Sequence, residues 1–320
     1  MIKQYKWSSL QLEKTRVGGF TIIEAVVAIV VTSILAIGIV SYIGDTVTSI
    51  DNAANRSRLA SSGRVAIQRL SAELHNSLPN SVRVTPTPAA ANGDQCIEFI
   101  PVRAATSYIN PSFGGSGSTS FQVVDFQPDQ EGVSGGYAVI YPRRQNLLYD
   151  GDEGGAASNT ASSWPTFPNR RPIQAINNIA SGTSANQSTV NLVTSHRFRR
   201  RSPNQRFFVV DQPVSYCVVG DKLYRYTDYG FYTSQVTDEE EPGNCERTAT
   251  DSDRCLPDYD AGPARKKALI TDNIENAGLT AFSVSAQTLT RNSLISIVLN
   301  MSADGDSIQL NHDVLARSVP

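Results

Sequence analysis

Charge is scarce in this chain. Only 18% of its 320 residues are Asp, Glu, Lys or Arg, and 30 acids nearly cancel 28 bases to leave a formal net charge of −2. That balance excludes a wholesale polybasic nucleic-acid binder and an acidic disordered tail. Histidine is scarcer still: His75, His196 and His312 are the only three, far apart in sequence. No two of the four cysteines form a C-x-x-C pair, so the sequence offers no tetrahedral zinc motif. Neither H-E-x-x-H nor G-x-x-x-x-G-K-[ST] occurs, and Gly114-Gly115-Ser116-Gly117 lacks the lysine and the strand-to-helix context of a phosphate loop. The expectation is a protein that is not an enzyme and needs no cofactor. Glycine (22) and proline (16) are near average, which excludes collagen and low-complexity polymers. A mean hydropathy of −0.23 excludes a multi-span membrane protein but leaves room for one apolar block.

That block begins at Phe20. Residues 1–19 are polar and basic, with Lys3, Lys6, Lys14 and Arg16 against Glu13. Phe20 to Gly44 then carries a single charge, Glu24, in 25 residues. As a helix this stretch is about 37 Å long, enough to cross a hydrocarbon core of about 30 Å. Bases before it and Asp45 and Asp51 after it orient its N-terminus inside and its C-terminus outside. A carboxylate on such a helix costs about 2.5–3.5 kcal/mol, so Glu24 calls for a partner. Beyond Gly44 the pattern turns one-sided: Val47, Ile50, Ala54, Leu59, Gly63, Ala66, Ile67, Leu70, Leu74 and Leu78 recur mostly three or four apart, with Arg56, Arg58, Arg64, Gln68, Arg69 and Glu73 opposite. The spacing predicts one helix from about Phe20 to Leu78, ended by Pro79. Gly38 and Gly44 are its weak points, about 1 kcal/mol each below Ala.

From residue 80 onward short β-branched and aromatic runs alternate with turn residues. They include Ser81–Val84, Gln95–Val102, Phe121–Phe126, Tyr137–Pro142, Thr189–Val193, Gln205–Asp211, Pro213–Val219, Lys222–Thr227, Leu279–Ser285, Leu294–Leu299 and Ser307–Asn311. This is an α+β pattern, a long helix on antiparallel sheet. Lys222–Thr227 reads as the second arm of a hairpin with Ser215–Val219. Residues 110–120 and 150–163 read as loops. All four cysteines, Cys96, Cys217, Cys245 and Cys255, lie beyond the span on the oxidising side. Three connectivities are open, beside free thiols; the expectation is Cys96–Cys217 joining two strands and Cys245–Cys255 closing a small loop.

Two surface features are candidate sites. Asp251, Asp253, Asp258 and Asp260 alternate with small residues, an oxygen-rich spacing that makes them a weak calcium candidate; no EF-hand register is present, and the expectation is a solvated acidic loop with no metal. The basic cluster Arg197, Arg199, Arg200, Arg201 and Arg206 is interleaved with Phe198, Phe207 and Phe208, the phosphate charges and stacking rings of a single-stranded DNA patch. Its alternative is a guarded strand edge or a contact to a partner protein.

The N-terminal residues carry a resemblance. Gly19-Phe20-Thr21-Ile22-Ile23-Glu24 resembles the type III signal of type IV prepilins and pseudopilins. The resemblance implies cleavage between Gly19 and Phe20 by a membrane-embedded prepilin peptidase, N-methylation of Phe20 by the same enzyme, and Glu24 as the assembly carboxylate that neutralises a neighbouring subunit's terminal amine. It divides the chain into a leader (1–19), a transmembrane and filament-core helix (20–44), an amphipathic continuation (45–79) and a β-rich head (80–320). Leader removal takes away a net +3, so the formal charge changes from −2 to −5. Within the class, LPNSVRV (78–84), CIEFIPV (96–102), YAVIYP (137–142), SPNQRFFVV (202–210), PVSYC (213–217) and LYRY (223–226) are similar to the MshO group of mannose-sensitive haemagglutinin (MSHA) biogenesis minor pilins. The run Arg199–Arg201 and the insertion around 237–260 depart from that pattern. The implied partners are the peptidase, other major and minor pilins, the inner-membrane assembly platform, and lipid before assembly. The implied location is the inner membrane, then the pilus surface. A type II secretion pseudopilin, and a head that binds DNA or a surface ligand, are the alternatives.

Overall fold

The computed structural model describes residues 19–125, 135–143, 145–149, 173–182, 184–232, 235, 266–285 and 293–316. The chain divides into two compact units, Met1–Ala54 and Asn55–Pro320. One helix, α1 (Ile22–His75), is continuous through Gly38 and Gly44 and contributes to both.

In the first unit α1 is exposed on every side. Ile22, Ile23, Val26, Val27, Ile29, Val30, Ile34, Leu35, Ile37, Val40 and Tyr42 all present half or more of their surface. Several of its hydroxyls bond back to the helix: Thr32 donates to the Ala28 carbonyl (2.7 Å), Ser33 to Ile29 (2.7 Å) and Thr46 to Tyr42 (2.7 Å). A polar side chain bonded back to its own helix needs no water.

In the second unit the helix becomes one-sided. Leu59, Gly63, Ala66, Ile67, Leu70, Ser71 and Leu74 are buried, and Arg58, Arg64, Gln68 and Arg69 are exposed. The ladder stops at His75, three residues short of the expected Leu78. The residue before a proline is pushed out of helical geometry, and here the chain turns early. Ser77 N–H and Oγ–H both donate to the Leu74 carbonyl, and Leu78 N–H donates to Ile100 (2.7 Å) instead of continuing the helix.

All three sheets are antiparallel. Strands β1 (Arg83–Thr85), β2 (Gln95–Phe99), β9 (Val214–Val219), β10 (Lys222–Thr227) and β11 (Lys266–Thr271) make a five-stranded sheet in the order β1-β2-β9-β10-β11. A three-stranded sheet has the order β12 (Phe282–Val284), β13 (Ser293–Ala303), β14 (Asp306–Ala316). Both face α1: Ala66, Ile67, Leu70 and Leu74 share one core with Ile97, Phe99, Tyr216 and Leu223 of the first sheet and Ile295, Ile297, Leu299 and Val314 of the second. The β9–β10 hairpin has the expected register, with Lys222 opposite Val219. The β13–β14 turn places Asp304 and Gly305 at positive φ (53° and 84°), the left-handed pair that a tight Asp-Gly hairpin requires.

The third sheet holds β3 (Val102–Ser107), β4 (Ser118–Val124), β5 (Tyr137–Ile140), β6 (Ile173–Ser181), β7 (Gln187–His196) and β8 (Arg206–Val210), in the order β3-β8-β5-β6-β7-β4. Its two edges meet. Tyr108 bridges Val123, Ile109 N–H donates to the Gln122 carbonyl (2.8 Å) and the Thr106 hydroxyl to Val124 (3.0 Å). The sheet therefore closes into a six-stranded barrel, filled by Phe121, Ile140, Ile176, Val190, Phe198 and Phe207. A short helix, α2 (Gln145–Tyr149), follows β5.

Several expectations are corrected here. Gln95–Val102 is not one strand: Pro101 cannot donate to a ladder, and the chain leaves the first sheet there to enter the barrel. Ser118–Ser120, read as loop, belongs to β4. Strands β6 and β11 were not expected, because Asn177-Asn178 and Lys266-Lys267 blur their apolar pattern. Residues 150–163 lie outside the described residues.

Gly63 lets α1 approach β13 and β14. A Cβ there would overlap Met301 Sδ and Leu310 Cδ1. Gly63→Leu is expected to destabilise the head by about 1–3 kcal/mol through overpacking, measurable as a lowered unfolding midpoint of the head.

Candidate functional site

At the N-terminal end, Gly19 and Phe20 lie ahead of the helix. Phe20 is 70% exposed, and nothing lies within 4 Å of a Cβ placed on Gly19. Thr21 caps α1: its Oγ1 accepts the Glu24 N–H (3.3 Å), and its carbonyl accepts the Ala25 N–H (3.1 Å) as the first helical bond. Thr21 is therefore the N-cap and Glu24 the third helical residue, the spacing of a capping box. Sequence reasoning treated Glu24 only as an acid in search of a distant partner. The T-x-x-E spacing was the signal for a local role, in which a carboxylate in the first turn also meets the positive end of the helix dipole. Gly19 and Phe20 are both exposed and outside the helix. Behind them, α1 is long and apolar enough to cross a membrane.

In the head, Cys96 and Cys217 form a disulfide as expected. They oppose each other in the β2–β9 register, and both are buried. Cys245, Cys255 and the acidic residues Asp251, Asp253, Asp258 and Asp260 lie outside the described residues. Among the described residues no group of three or more His, Cys, Asp or Glu could hold a metal.

The arginine cluster divides. Arg197, Arg199, Arg200 and Arg201 sit on the β7–β8 connection, at the barrel end where β3 also joins β4. The two connections are tied together: Phe198 N–H donates to the Ser112 carbonyl (2.9 Å) and Arg197 Nη1 to Gly115 (3.2 Å). Arg206 instead lines a groove with Asn76, Arg103 and Thr106. The aromatic residues do not take the part the DNA reading gives them. Phe198 and Phe207 are buried inside the barrel, edge-on to Phe121 at 5.5 and 5.4 Å, and Phe208 is buried as well. Phe207 faces the barrel core with Phe198, and its neighbour Phe208 packs into a second buried cluster on the other face of β8, so none of the three is free to stack on a base.

Sequence reasoning missed a buried charged network. Glu98 on β2 is fully buried. Arg83 on β1 donates through Nε to Glu98 Oε2 (2.5 Å), and through Nη2 to the Tyr232 carbonyl (2.8 Å). Tyr229 donates to Glu98 Oε1 (2.9 Å) and also hydrogen-bonds Ser215 (2.7 Å). Tyr149 of α2 lies under the Arg83 guanidinium, 3.7 Å from ring centroid to Cζ. Burial pushes the Glu98 carboxyl above its usual range against the pull of Arg83. Burial, then the Glu98 charge, holds Tyr229 and Tyr149 well above the usual phenol range, so both stay donors. With both oxygens of Glu98 occupied, the network fastens β1, β2, α2 and the 229–232 loop together.

Gly132-Val133-Ser134-Gly135-Gly136 fits the pattern G-x-S-x-G; residues 132–134 lie outside the described residues, and the residue after Gly136 opens strand β5, not the helix that a nucleophile elbow requires. No protein-family model, curated protein or solved structure matches this chain.

The pinned network makes a pH-dependent prediction. Arg83→Met leaves Glu98 buried and unpaired, at a cost of about 3–5 kcal/mol near neutral pH. A carboxyl whose folded pKa is raised gives most stability below its unfolded value and loses it as pH rises through the folded one. The deficit of the variant should therefore shrink as pH falls toward about 4. Thermal melting of wild type and variant across that range checks it, and Glu98→Gln added to Arg83→Met should recover part of the loss.

Proposed function

We propose that this chain is a minor pilin or pseudopilin of the MSHA type: inserted once in the inner membrane with its N-terminus cytoplasmic, processed between Gly19 and Phe20, and built into a type IV pilus or its tip or priming complex. One observation carries the reading. An accessible Gly19–Phe20 bond leads directly into a helix that is apolar and exposed all round, has one carboxylate in its first turn, and continues without a break to the element that packs in the head. A signal sequence meant for removal has no use for such continuity. A filament subunit needs it, because lateral packing of many such helices buries what a single chain leaves bare.

In this reading the protein is a substrate of the peptidase and methyltransferase and acts by assembly, supporting pilus biogenesis and surface adhesion. Glu24 supplies the counter-charge for the new amine of a neighbouring Phe20. An unpaired carboxylate or ammonium in an apolar environment is costly enough to hold subunits in register. The large head suits a low-abundance tip position.

Mass spectrometry of the N-terminus, on protein recovered from sheared filaments, tests the proposal. N-methylated Phe20 is the expected terminus, and a terminus at Met1 would overturn the reading. Glu24→Ala is expected to leave cleavage intact while reducing the amount in the sheared fraction by about tenfold or more, the scale of a lost ion pair in an apolar setting.

A further inference from the structure

Positive charge is concentrated in the stretch of sequence that carries the barrel strands. Residues 102–210 contain ten arginines, no lysine and six acids, a net +4 in a chain whose total is −2. Arg199, Arg200 and Arg201 are exposed at one barrel end. No described carboxylate pairs with any of the three. Arg201 lies over the Phe113 ring at 5.2 Å, which holds its guanidinium plane at the rim of a cleft of about 450 Å³. Tyr108, Asn110, Phe113 and Gln205 line that cleft with amides and ring surface but no acid.

We propose that this barrel end binds an acidic polysaccharide, with Arg199, Arg200 and Arg201 taking its carboxylate or sulfate groups and the cleft taking a neighbouring sugar ring. The arginine side chain explains the choice of ligand group. A guanidinium presents paired donors that match a planar carboxylate or a sulfate edge, and it keeps its charge under all conditions a surface meets. The amides of Asn110 and Gln205 both donate and accept, which suits hydroxyls. Single-stranded nucleic acid fits less well, because Phe198, Phe207 and Phe208 are buried and a strand finds none of those rings to stack on. This surface belongs to the head, and the proposal stands independently of processing at Gly19.

The test uses full-length protein in detergent and four immobilised probes: heparin, polygalacturonate, neutral dextran and duplex DNA. Expected is salt-sensitive retention on heparin or polygalacturonate, weakened about tenfold or more when Arg199, Arg200 and Arg201 are all changed to Ala, the scale of a lost charge-assisted hydrogen bond. The control changes Arg58, Arg64 and Arg69 to Ala. It removes the same charge from the exposed face of α1 and should shift retention less than about twofold, as screened distant charges do. Unchanged melting of the 199–201 variant shows that the fold is kept. The proposal is overturned by equal losses in the two variants, by no retention of wild type on either acidic polymer, by equal retention on dextran, or by tighter retention on DNA.

Discussion

A helix that is apolar all round in one half and one-sided in the other must serve two surroundings, and every larger feature of this protein answers to that constraint. From Leu59 to Leu74 the buried stripe of α1 supplies the surface on which both the five-stranded and the three-stranded sheet close. From Ile22 to Ile43 the same element keeps far more apolar surface exposed than a water-soluble monomer sustains. The head solves its own folding problem with the second half of the helix. It leaves the first half to be covered by something outside the chain.

The division shows which parts of the fold the sequence could reveal. Three- and four-residue spacing made α1 legible, because a helix that packs on one side repeats its apolar positions. The β9–β10 hairpin and the Cys96–Cys217 pair were legible because turn residues and two cysteines in strong strand runs are local signals. The barrel was not legible as a barrel. Its closure needs Tyr108 to meet Val123 while β8, β5, β6 and β7 take their places between β3 and β4 in the sheet, an order that no short window contains. Strand β6 was hidden by Asn177-Asn178, whose polarity is tolerated where the register shifts between Ile176 and Asn178. The direction of Phe198 and Phe207 was hidden too. Sequence shows that aromatics stand beside arginines, and only the closed sheet, with the β7–β8 connection folded across its end, decides that the rings go in and the charges stay out.

The Glu98 network shows the same limit from the electrostatic side. Arg83 and Glu98 are fifteen residues apart and look like ordinary surface charges in sequence. Antiparallel pairing of β1 and β2 sets them opposite each other. Burial then makes the pair depend on Tyr229 and the Tyr232 carbonyl. The loop that supplies these two groups is thereby anchored at its start by groups on two different strands. Such a pair contributes little net stability against a well-packed apolar replacement, but it specifies one arrangement of the segments around it.

The position of the disulfide has a mechanical consequence. All six barrel strands, β3 to β8, lie in the sequence between Cys96 and Cys217. The barrel is therefore a loop hung from a covalent clasp on two neighbouring strands of the main sheet. Tension carried along the backbone from α1 toward the C-terminal sheet passes across the sulfur bridge and bypasses the barrel entirely. A pendant held this way can deform or be exchanged for another insert while the path along the rest of the backbone stays unchanged.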